Sequence, residues 1–387
     1  MNILIDFIPF QYNSGVSGAA SFTKAVYDRL ILSAGNVRLF ATYDATMPSG
    51  LQYGCQEMAD MYHAVLADIS GTPLRDVISR HHIDVFFISI GQLYEKYDLN
   101  CIGCKTIMFI HDLFEYERCD NKVDLLIYDR ERNGWKDWAK RFVNLFSGRW
   151  ERQIKKRYSA VMQLYAARNT LAYTVSNYSR NALRYYFPAL EKDIRICYSP
   201  TRTASMMPTI ENEALGKLVA SHKRYILMLA ASRRYKNVQT LMKVFSRLRE
   251  EYDDLYLLTL KYGSSVHPRH IDIPYLSDSD LEHAYKNAYV LAFTSYFEGF
   301  GYPPVEAMKY GTPTVASNVT SIPEILGDAA VYFSPFYSAD LYRALKEVLQ
   351  DRNLRNEQIQ RRKEHIAQIQ EEHLSQLIEE ILTNNIP

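Results

Sequence analysis

The stretch YFEGFGYPPVEAMKYGTPTVASNVTSIPEILGDAA, residues 296–330, decides how the chain is read. Two glutamates, Glu298 and Glu306, stand eight positions apart in it. Between them lie Gly299, Phe300 and Gly301, a flexible turn, followed by Pro303 and Pro304. Proline cannot continue a preceding helix, but it fits the first turn of a new one, where its missing N–H would have no partner anyway. The apolar run from Tyr289 to Ser295 in front of the turn has strand character. The segment therefore predicts a strand, a glycine turn and a helix near Pro303 to Tyr310. Glu306 is expected in that helix's first turn and Glu298 in the loop before it. Backbone N–H groups at such a turn form an anion-binding nest, and a carboxylate accepts hydrogen bonds from the hydroxyls of a diol. Together they suit a ligand with both phosphate and sugar. A plainer alternative is an acidic first turn that complements the helix dipole.

The same residues resemble the carboxyl-half signature of family 4 of the retaining glycosyltransferases, Glu, seven residues, Glu, within EGFG-x-P-x-x-EAM. The likeness continues through Gly311-Thr312-Pro313 and Ile322-Pro323-Glu324. It is clear from Tyr225 to Pro335 and scattered before that. The resemblance implies the GT-B arrangement, two doubly wound, Rossmann-like α/β domains facing across a cleft. It also implies transfer of a hexose, mannose or a relative, from a UDP- or GDP-linked sugar to a hydroxyl, with anomeric configuration kept. The acceptor it suggests is a saccharide or lipid-linked saccharide, in bacterial surface polysaccharide or glycoconjugate synthesis.

Composition agrees with an ordinary globular chain. At 387 residues, with 47% hydrophobic and 23% charged residues, it can bury two full cores. A net charge of +1 argues against a global nucleic-acid-binding design. Five cysteines, an odd number, fit a reducing compartment. Cys101 and Cys104 form a C-x-x-C with no second pair to complete a zinc site. MNILIDFIPF starts directly as a buried strand and lacks the basic flank of a signal peptide. No apolar run is long enough to cross a bilayer. A cytoplasmic location is expected, with a peripheral position on the inner membrane face as an extension of it.

In the amino-terminal half, Ile3 to Ile8 is an apolar run broken only by Asp6, as for a central parallel strand. The glycine loop at Gly15 and Gly18 follows, then a helix with Phe22, Val26 and Leu30 at spacing four. Strand, glycine loop and helix present backbone N–H groups to a ligand, although G-x-G-x-x-G is missing and a plain turn would look alike. Val37–Thr42, Asp84–Ile90 and Lys105–Ile110 read as further strands of an open doubly wound sheet. The last of them runs into His111-Asp112. A histidine there points into the crevice where such sheets bind ligands, or is simply a hydrogen-bonded structural residue. Leu171–Ser176 and Ile194–Tyr198 read as strands too, with Ser176 capping the helix between them.

From Arg130 to Arg157 there are ten Lys or Arg against three acidic residues. Trp135, Trp138, Phe142, Phe146 and Trp150 recur there at spacings of three and four. Such a segment sits on anionic lipid, or turns its aromatic stripe into the core and its basic face to water.

In the carboxyl-terminal half, Tyr225–Ala231 reads as a strand ending in Ser232-Arg233-Arg234-Tyr235-Lys236-Asn237, with a helix behind it. Basic residues there suit a diphosphate, or form a surface turn. Leu255–Leu260 and Ala330–Phe333 complete the strands read. Domain boundaries are expected at 1–199 and 223–365, with a polar linker over 200–222 and a last helix, 366–387, crossing back to the first domain.

The resemblance assigns roles residue by residue. Arg233, with Arg234 as the alternative register, and Lys236 neutralise the leaving diphosphate. Glu306 holds the ribose. Glu298 orients the donor sugar with the turn at Gly299, Phe300 and Gly301. His111 touches that sugar or its phosphate, and the loop at Gly15 and Gly18 faces the donor phosphate. Neither a metal nor another cofactor is expected. Two departures stand out: glycine is usual in the family where Ala231-Ser232 stand, and around Lys261-Tyr262-Gly263. A non-catalytic nucleotide-sugar-binding subunit and a sugar-nucleotide epimerase share the architecture.

Overall fold

The computed structural model describes residues 1–12, 18–33, 35, 37–47, 55–120, 147–201 and 209–384. Its strands fall into two all-parallel sheets. The first holds β1 (Asn2–Asp6), β2 (Arg38–Tyr43), β3 (Ala64–Asp68), β4 (Val85–Ile88), β5 (Lys105–Phe109), β6 (Thr170–Thr174) and β7 (Ile194–Ile196) in the order β3-β2-β1-β4-β5-β6-β7. The second holds β8 (Arg224–Met228), β9 (Leu255–Leu260), β10 (His270–Ile273), β11 (Val290–Phe293), β12 (Thr314–Ser317) and β13 (Ala330–Phe333) in the order β10-β9-β8-β11-β12-β13.

The central strands are buried on both faces, which is why they read as unbroken apolar runs. Ile3, Leu4, Ile5, Phe86, Phe87 and Ile107 are all fully buried, as are Ile226, Leu227, Leu257 and Leu258 in the second sheet. The helix Gly18–Ser33 buries Phe22, Val26 and Leu30 completely, as their spacing predicts. Ser176 does cap the helix Asn177–Tyr186, accepting from the Ser179 N–H at 3.1 Å.

Several expectations shift. The first strand stops at Asp6, because the chain turns into a short helix, Ile8–Gln11, with Pro9 in its first turn. Strands β3, β10 and β12 were not read from sequence. The first two lie at sheet edges with polar residues in them, and TVAS is short and small between turn residues.

The described contacts divide the chain into Met1–Pro200 with Gln370–Pro387, and Thr201–Ile369. Part of the expected linker is a helix, Glu213–Ala220. Asn212 caps it, accepting from the Leu215 N–H at 3.0 Å, and Leu215 and Leu218 are buried in the second unit. The last helix begins earlier than expected, spanning Asn356–Leu382. Its final turns are tied into the first unit. Buried Lys105 donates from Nζ to the carbonyls of Glu380 (2.7 Å) and Thr383 (2.8 Å), while Tyr173 Oη donates to Glu380 Oε2 at 2.6 Å. Arg195 pairs with the same carboxylate, and Leu377 and Ile381 are fully buried.

Candidate functional site

In each sheet the strand order reverses once, between β1 and β4 in the first and between β8 and β11 in the second. Open parallel sheets bind ligands beyond the carboxyl ends of the strands at such a point. Both reversal points here carry a carboxylate, fully buried at Asp6 and partly buried at Glu298. Each carboxylate is tied to the loop that follows the other strand.

In the second unit β8 leads to Arg233 and a single 3-10 turn, Arg234–Lys236. Backbone at Ala230 has φ 53°, in the left-handed region that glycine favours. Asn237 is left-handed too, and its Nδ2 donates to the Pro335 carbonyl at 3.2 Å. The loop after β11 docks on this turn through the Tyr296 N–H, which donates to the Tyr235 carbonyl at 2.8 Å. Thr294 Oγ1 also donates to the Lys236 carbonyl at 2.5 Å. Lys236 Nζ and Glu298 Oε1 meet at 2.5 Å, with side-chain exposures of only 9% and 12%. The ammonium also lies 4.8 Å from the Phe293 ring centroid and 5.2 Å from that of Tyr235. Sequence reasoning placed Lys236 and Glu298 in one site; the ion pair between them is new.

The Glu298 loop is clamped from β12. Glu298 N–H donates to Thr320 Oγ1 at 3.1 Å, and Ser321 Oγ donates to the Glu298 carbonyl at 2.9 Å. Thr320 and Ser321 were missed, although both fall inside the opening motif. Gly301 has φ 98° and starts the next helix, Tyr302–Lys309. That early start moves Pro303 and Pro304 one step inward and places Glu306 beyond the first turn, correcting the sequence reading. A dipole-complementing role for Glu306 goes with it. Instead Glu306 is buried, and its Oε2 accepts from Tyr285 Oη at 2.7 Å. Tyr285 is itself fixed: Thr312 of the Gly-Thr-Pro motif donates to its carbonyl at 2.7 Å. Of the other expected residues, Arg233 is exposed with Nη1 donating to Tyr235 Oη at 3.1 Å, Arg234 is half-buried, and Phe300 is buried with its ring edge-on to Tyr302. Gly299 lies in the loop between Glu298 and Phe300. At Lys261-Tyr262-Gly263, the second departure, Asp272 accepts from the N–H groups of Tyr262 (2.9 Å) and Gly263 (2.8 Å).

In the first unit the reversal point is built from Asp6 and Ser89. The Asp6 carboxylate is fully buried. Its Oδ2 accepts from both the N–H and the hydroxyl of Ser89, each at 3.1 Å, and its Oδ1 lies 2.5 Å from Tyr27 Oη. Burial pushes this carboxyl up to about 7, against the lowering effect of the bonds from Tyr27 and Ser89. His111 follows β5, and its Nε2 lies 2.8 Å from the Ser89 carbonyl. Burial pushes the imidazole down to about 4, opposed by that bond. Gly18 opens the helix Gly18–Ser33, while Gly15 lies outside the described residues. Asp6 was legible only as the one charge in an apolar strand.

These two shifts have opposite signs for stability. Asp6 titrates higher folded than unfolded, so its contribution is full near pH 4 and is lost as pH rises through about 7. His111 titrates lower folded than unfolded, so its contribution is full above 6.5 and is lost as pH falls through about 4. Between pH 4 and 6.5 the two offset each other. Relative to the parent, His111→Gln should therefore lose stability as pH rises through that window, and Asp6→Asn should gain it. Each slope difference is up to about 1.4 kcal/mol per pH unit. Urea titrations at four pH values would show this; parallel curves for all three proteins would refute it.

Elsewhere, Cys104 is buried and its thiol is pushed up to about 12, whereas Cys101 is exposed. Among the described residues no group of three or more His, Cys, Asp or Glu is placed to hold a metal ion, and no helix is long and apolar enough to cross a membrane. Trp135, Trp138, Phe142 and Phe146 lie outside the described residues. The helix Arg149–Arg157 exposes Trp150 and buries only Ile154.

Residues 265–365 match the family described as "Glycosyl transferases group 1". The match lies within the second unit. It holds Glu298 and Glu306, while Arg233 and Lys236 lie ahead of it. A stretch of 145 residues is 32% identical to the Escherichia coli "Serotype-specific mannosyltransferase WbdA", covering 33% of this chain and 18% of that protein. The likeness thus spans less than a fifth of that relative. Over 186 residues the chain is 29% identical to the Escherichia coli "O-antigen chain mannosyltransferase B", covering 43% of this chain and 48% of the relative. The fold around the matched segment is GT-B. It is shared with the sucrose-phosphate synthase of Thermosynechococcus elongatus, with a TM-score of 0.64 at 13% identity over 97% of each chain. It is also shared with WaaG, described as a glycosyltransferase involved in lipopolysaccharide biosynthesis, with a TM-score of 0.61 at 14% identity over 98% of this chain and 99% of that one.

Proposed function

We propose that the protein transfers a hexose, with mannose the first candidate, from a UDP- or GDP-linked sugar to a hydroxyl of a saccharide or lipid-linked saccharide, with retention of configuration. The observation that carries this reading is the Lys236–Glu298 pair at the reversal point of the second sheet, with Glu298 inside the matched segment. Names of the partial relatives favour mannose and O-antigen-type polysaccharide. In this reading the diphosphate takes over Lys236 from Glu298, and Arg233 adds charge from the exposed side. Fixed positive groups act where charge builds on the departing phosphate, which is where preorganised electrostatics contribute most. Glu298 then accepts hydrogen bonds from the donor sugar's hydroxyls, and Glu306 from the ribose diol. The acceptor oxygen attacks from the face the diphosphate leaves, its proton passing to the leaving phosphate. Lys236 and Arg233 supply the positive charge, so we propose that no metal is needed; activity surviving EDTA tests that.

A thermal-shift panel of UDP, GDP, ADP and their sugars tests the donor site. A ligand that binds only the folded state raises its melting temperature by mass action. One diphosphate should stabilise the parent and shift Glu306→Ala less. No shift from any of them at millimolar concentration would remove the donor-site reading. Product analysis then separates the alternatives. Transfer to an added saccharide supports the enzyme, binding without turnover supports a non-catalytic subunit, and a changed sugar nucleotide without acceptor supports an epimerase. A lipid-linked acceptor would also explain the basic excess over 130–157. Co-sedimentation with vesicles containing anionic lipid supports that contact, and its absence supports a stripe packed in the core.

A further inference from the structure

The carboxyl edge of the second sheet carries two aromatic rings that the donor chemistry leaves unused. Phe336 and Tyr337 follow β13 and are 66% and 67% exposed, more than any other aromatic side chain among the described residues of the second unit. Their turn is held at four points. Asp340 Oδ2 accepts from the Ser334 N–H at 2.7 Å, the Tyr337 N–H donates to the Ser334 carbonyl at 3.2 Å, and the Asp340 N–H donates to the Tyr337 carbonyl at 3.1 Å. The fourth is the bond from Asn237 Nδ2 to the Pro335 carbonyl. Tyr337 also occupies the N-cap of the helix Ser338–Gln350 and makes no side-chain cap bond. Ser, Thr, Asp or Asn there would bond a helix N–H. The tyrosine breaks that local rule with no gain to the helix, which points to a use outside it. Rings fixed on such a turn lose little freedom when a ligand covers them.

Their surroundings narrow what that ligand is. The Phe336 ring lies 5.7 Å from that of Tyr296, the Tyr296 N–H donates to the Tyr235 carbonyl, and Lys236 Nζ lies over the Tyr235 ring at 5.2 Å. The rings therefore adjoin the Lys236–Glu298 pair, all within the second unit. Together they offer on the order of 300 Å², well short of the roughly 800 Å² per partner of a stable protein interface. Residues 331–342 hold one Asp and no Lys or Arg, whereas a site for anionic lipid joins its aromatics to clustered cations. A pyranose suits them. Its face of C–H groups lies against the negative face of an aromatic ring, and its hydroxyls stay in water or meet Tyr337 Oη. We propose that Phe336 and Tyr337 form a stacking subsite for one pyranose residue of the acceptor saccharide, next to the donor and apart from it. That the saccharide is the acceptor rests on the proposed function; that a pyranose stacks here does not.

Saturation-transfer NMR on the full chain, with methyl α-mannoside and α-linked mannotriose as probes, reads the stacking. Mannotriose should receive saturation on the C–H protons of one pyranose face. Phe336→Ala/Tyr337→Ala should abolish that signal, and Phe336→Trp, which keeps a ring, should retain it. No signal with the parent, or equal signals in the parent and the double variant, overturns the subsite. Both side chains are exposed, so the double variant should melt close to the parent and keep its thermal shift with the stabilising diphosphate. Loss of that shift would put the rings at the donor and overturn the acceptor assignment. In transfer assays the double variant should raise KM for mannotriose about tenfold with kcat nearly unchanged, and should change KM for methyl α-mannoside less. A drop in kcat alone would overturn the binding role. Unchanged saccharide signals with lost co-sedimentation on anionic vesicles would make the rings a lipid contact instead. If no diphosphate shifts the parent, the proposed function falls, while the stacking stands or falls by its own NMR signal.

Discussion

Lys236→Met is expected to lower transfer by about a hundred- to a thousandfold, the usual effect of deleting one fixed group that meets developing charge. It should also destabilise the second unit by about 3–5 kcal/mol, and for a different reason. Glu298 is nearly as buried as the lysine, so removing one partner strands the other charge away from water. The two effects come apart in Lys236→Met/Glu298→Gln. With both charges gone no buried ion remains, and the pair of neutral side chains should recover most of the lost stability. Transfer should stay as low as in the single variant. Urea unfolding and a transfer assay on the four proteins of the cycle decide it. A double variant as unstable as Lys236→Met would show that the pair is not coupled. A single variant with near-parent turnover would take Lys236 out of the reaction.

Lys105→Met should cost about 3 kcal/mol and free the end of the chain. Lys105 is 2% exposed, yet its ammonium donates to two carbonyls at the close of the last helix, Glu380 and Thr383. Those carbonyls belong to the final turn, which has no further N–H of its own to bond. A cation there also complements the negative end of the helix dipole. Methionine fills the stem's volume but leaves both acceptors unsatisfied, at about 1–3 kcal/mol for a buried group. Limited proteolysis should then cut residues 370–384 sooner than in the parent. Thermal shifts from nucleotides should persist, because the residues proposed to bind them lie in the other unit. Unchanged protease resistance would mean that Leu377, Ile381 and the Glu380 contacts suffice without the cap.

How much of this was legible in the sequence differs from residue to residue. The central strands were, because a parallel strand buried on both faces must be apolar throughout; Leu255–Leu260 was read with its true ends. Edge strands carry no such demand, so AVLAD and HIDI were not read as strands. Glu298 and Lys236 were found through a motif and a basic turn, but their contact spans 62 positions and no local pattern records it. The same holds for Asp6 and Ser89, 83 positions apart. Glu306 was found and misplaced, because a left-handed Gly301 began its helix one residue before the prolines. Tyr285, which holds Glu306, left no signal beyond a buried aromatic on a helix.

The anchoring of the last helix bears on the order in which the protein is made. A ribosome emits β1 through β7 first, then all of Thr201–Ile369, and only afterwards the turns that Lys105, Tyr173 and Arg195 grip. Until then the nascent first unit carries an uncapped lysine at the foot of β5 and an uncovered apolar strip where Leu377 and Ile381 will lie. Domains made in sequence usually close in sequence. Here the earlier one stays open through the synthesis of the later one, and turns made after the second unit complete the first fold.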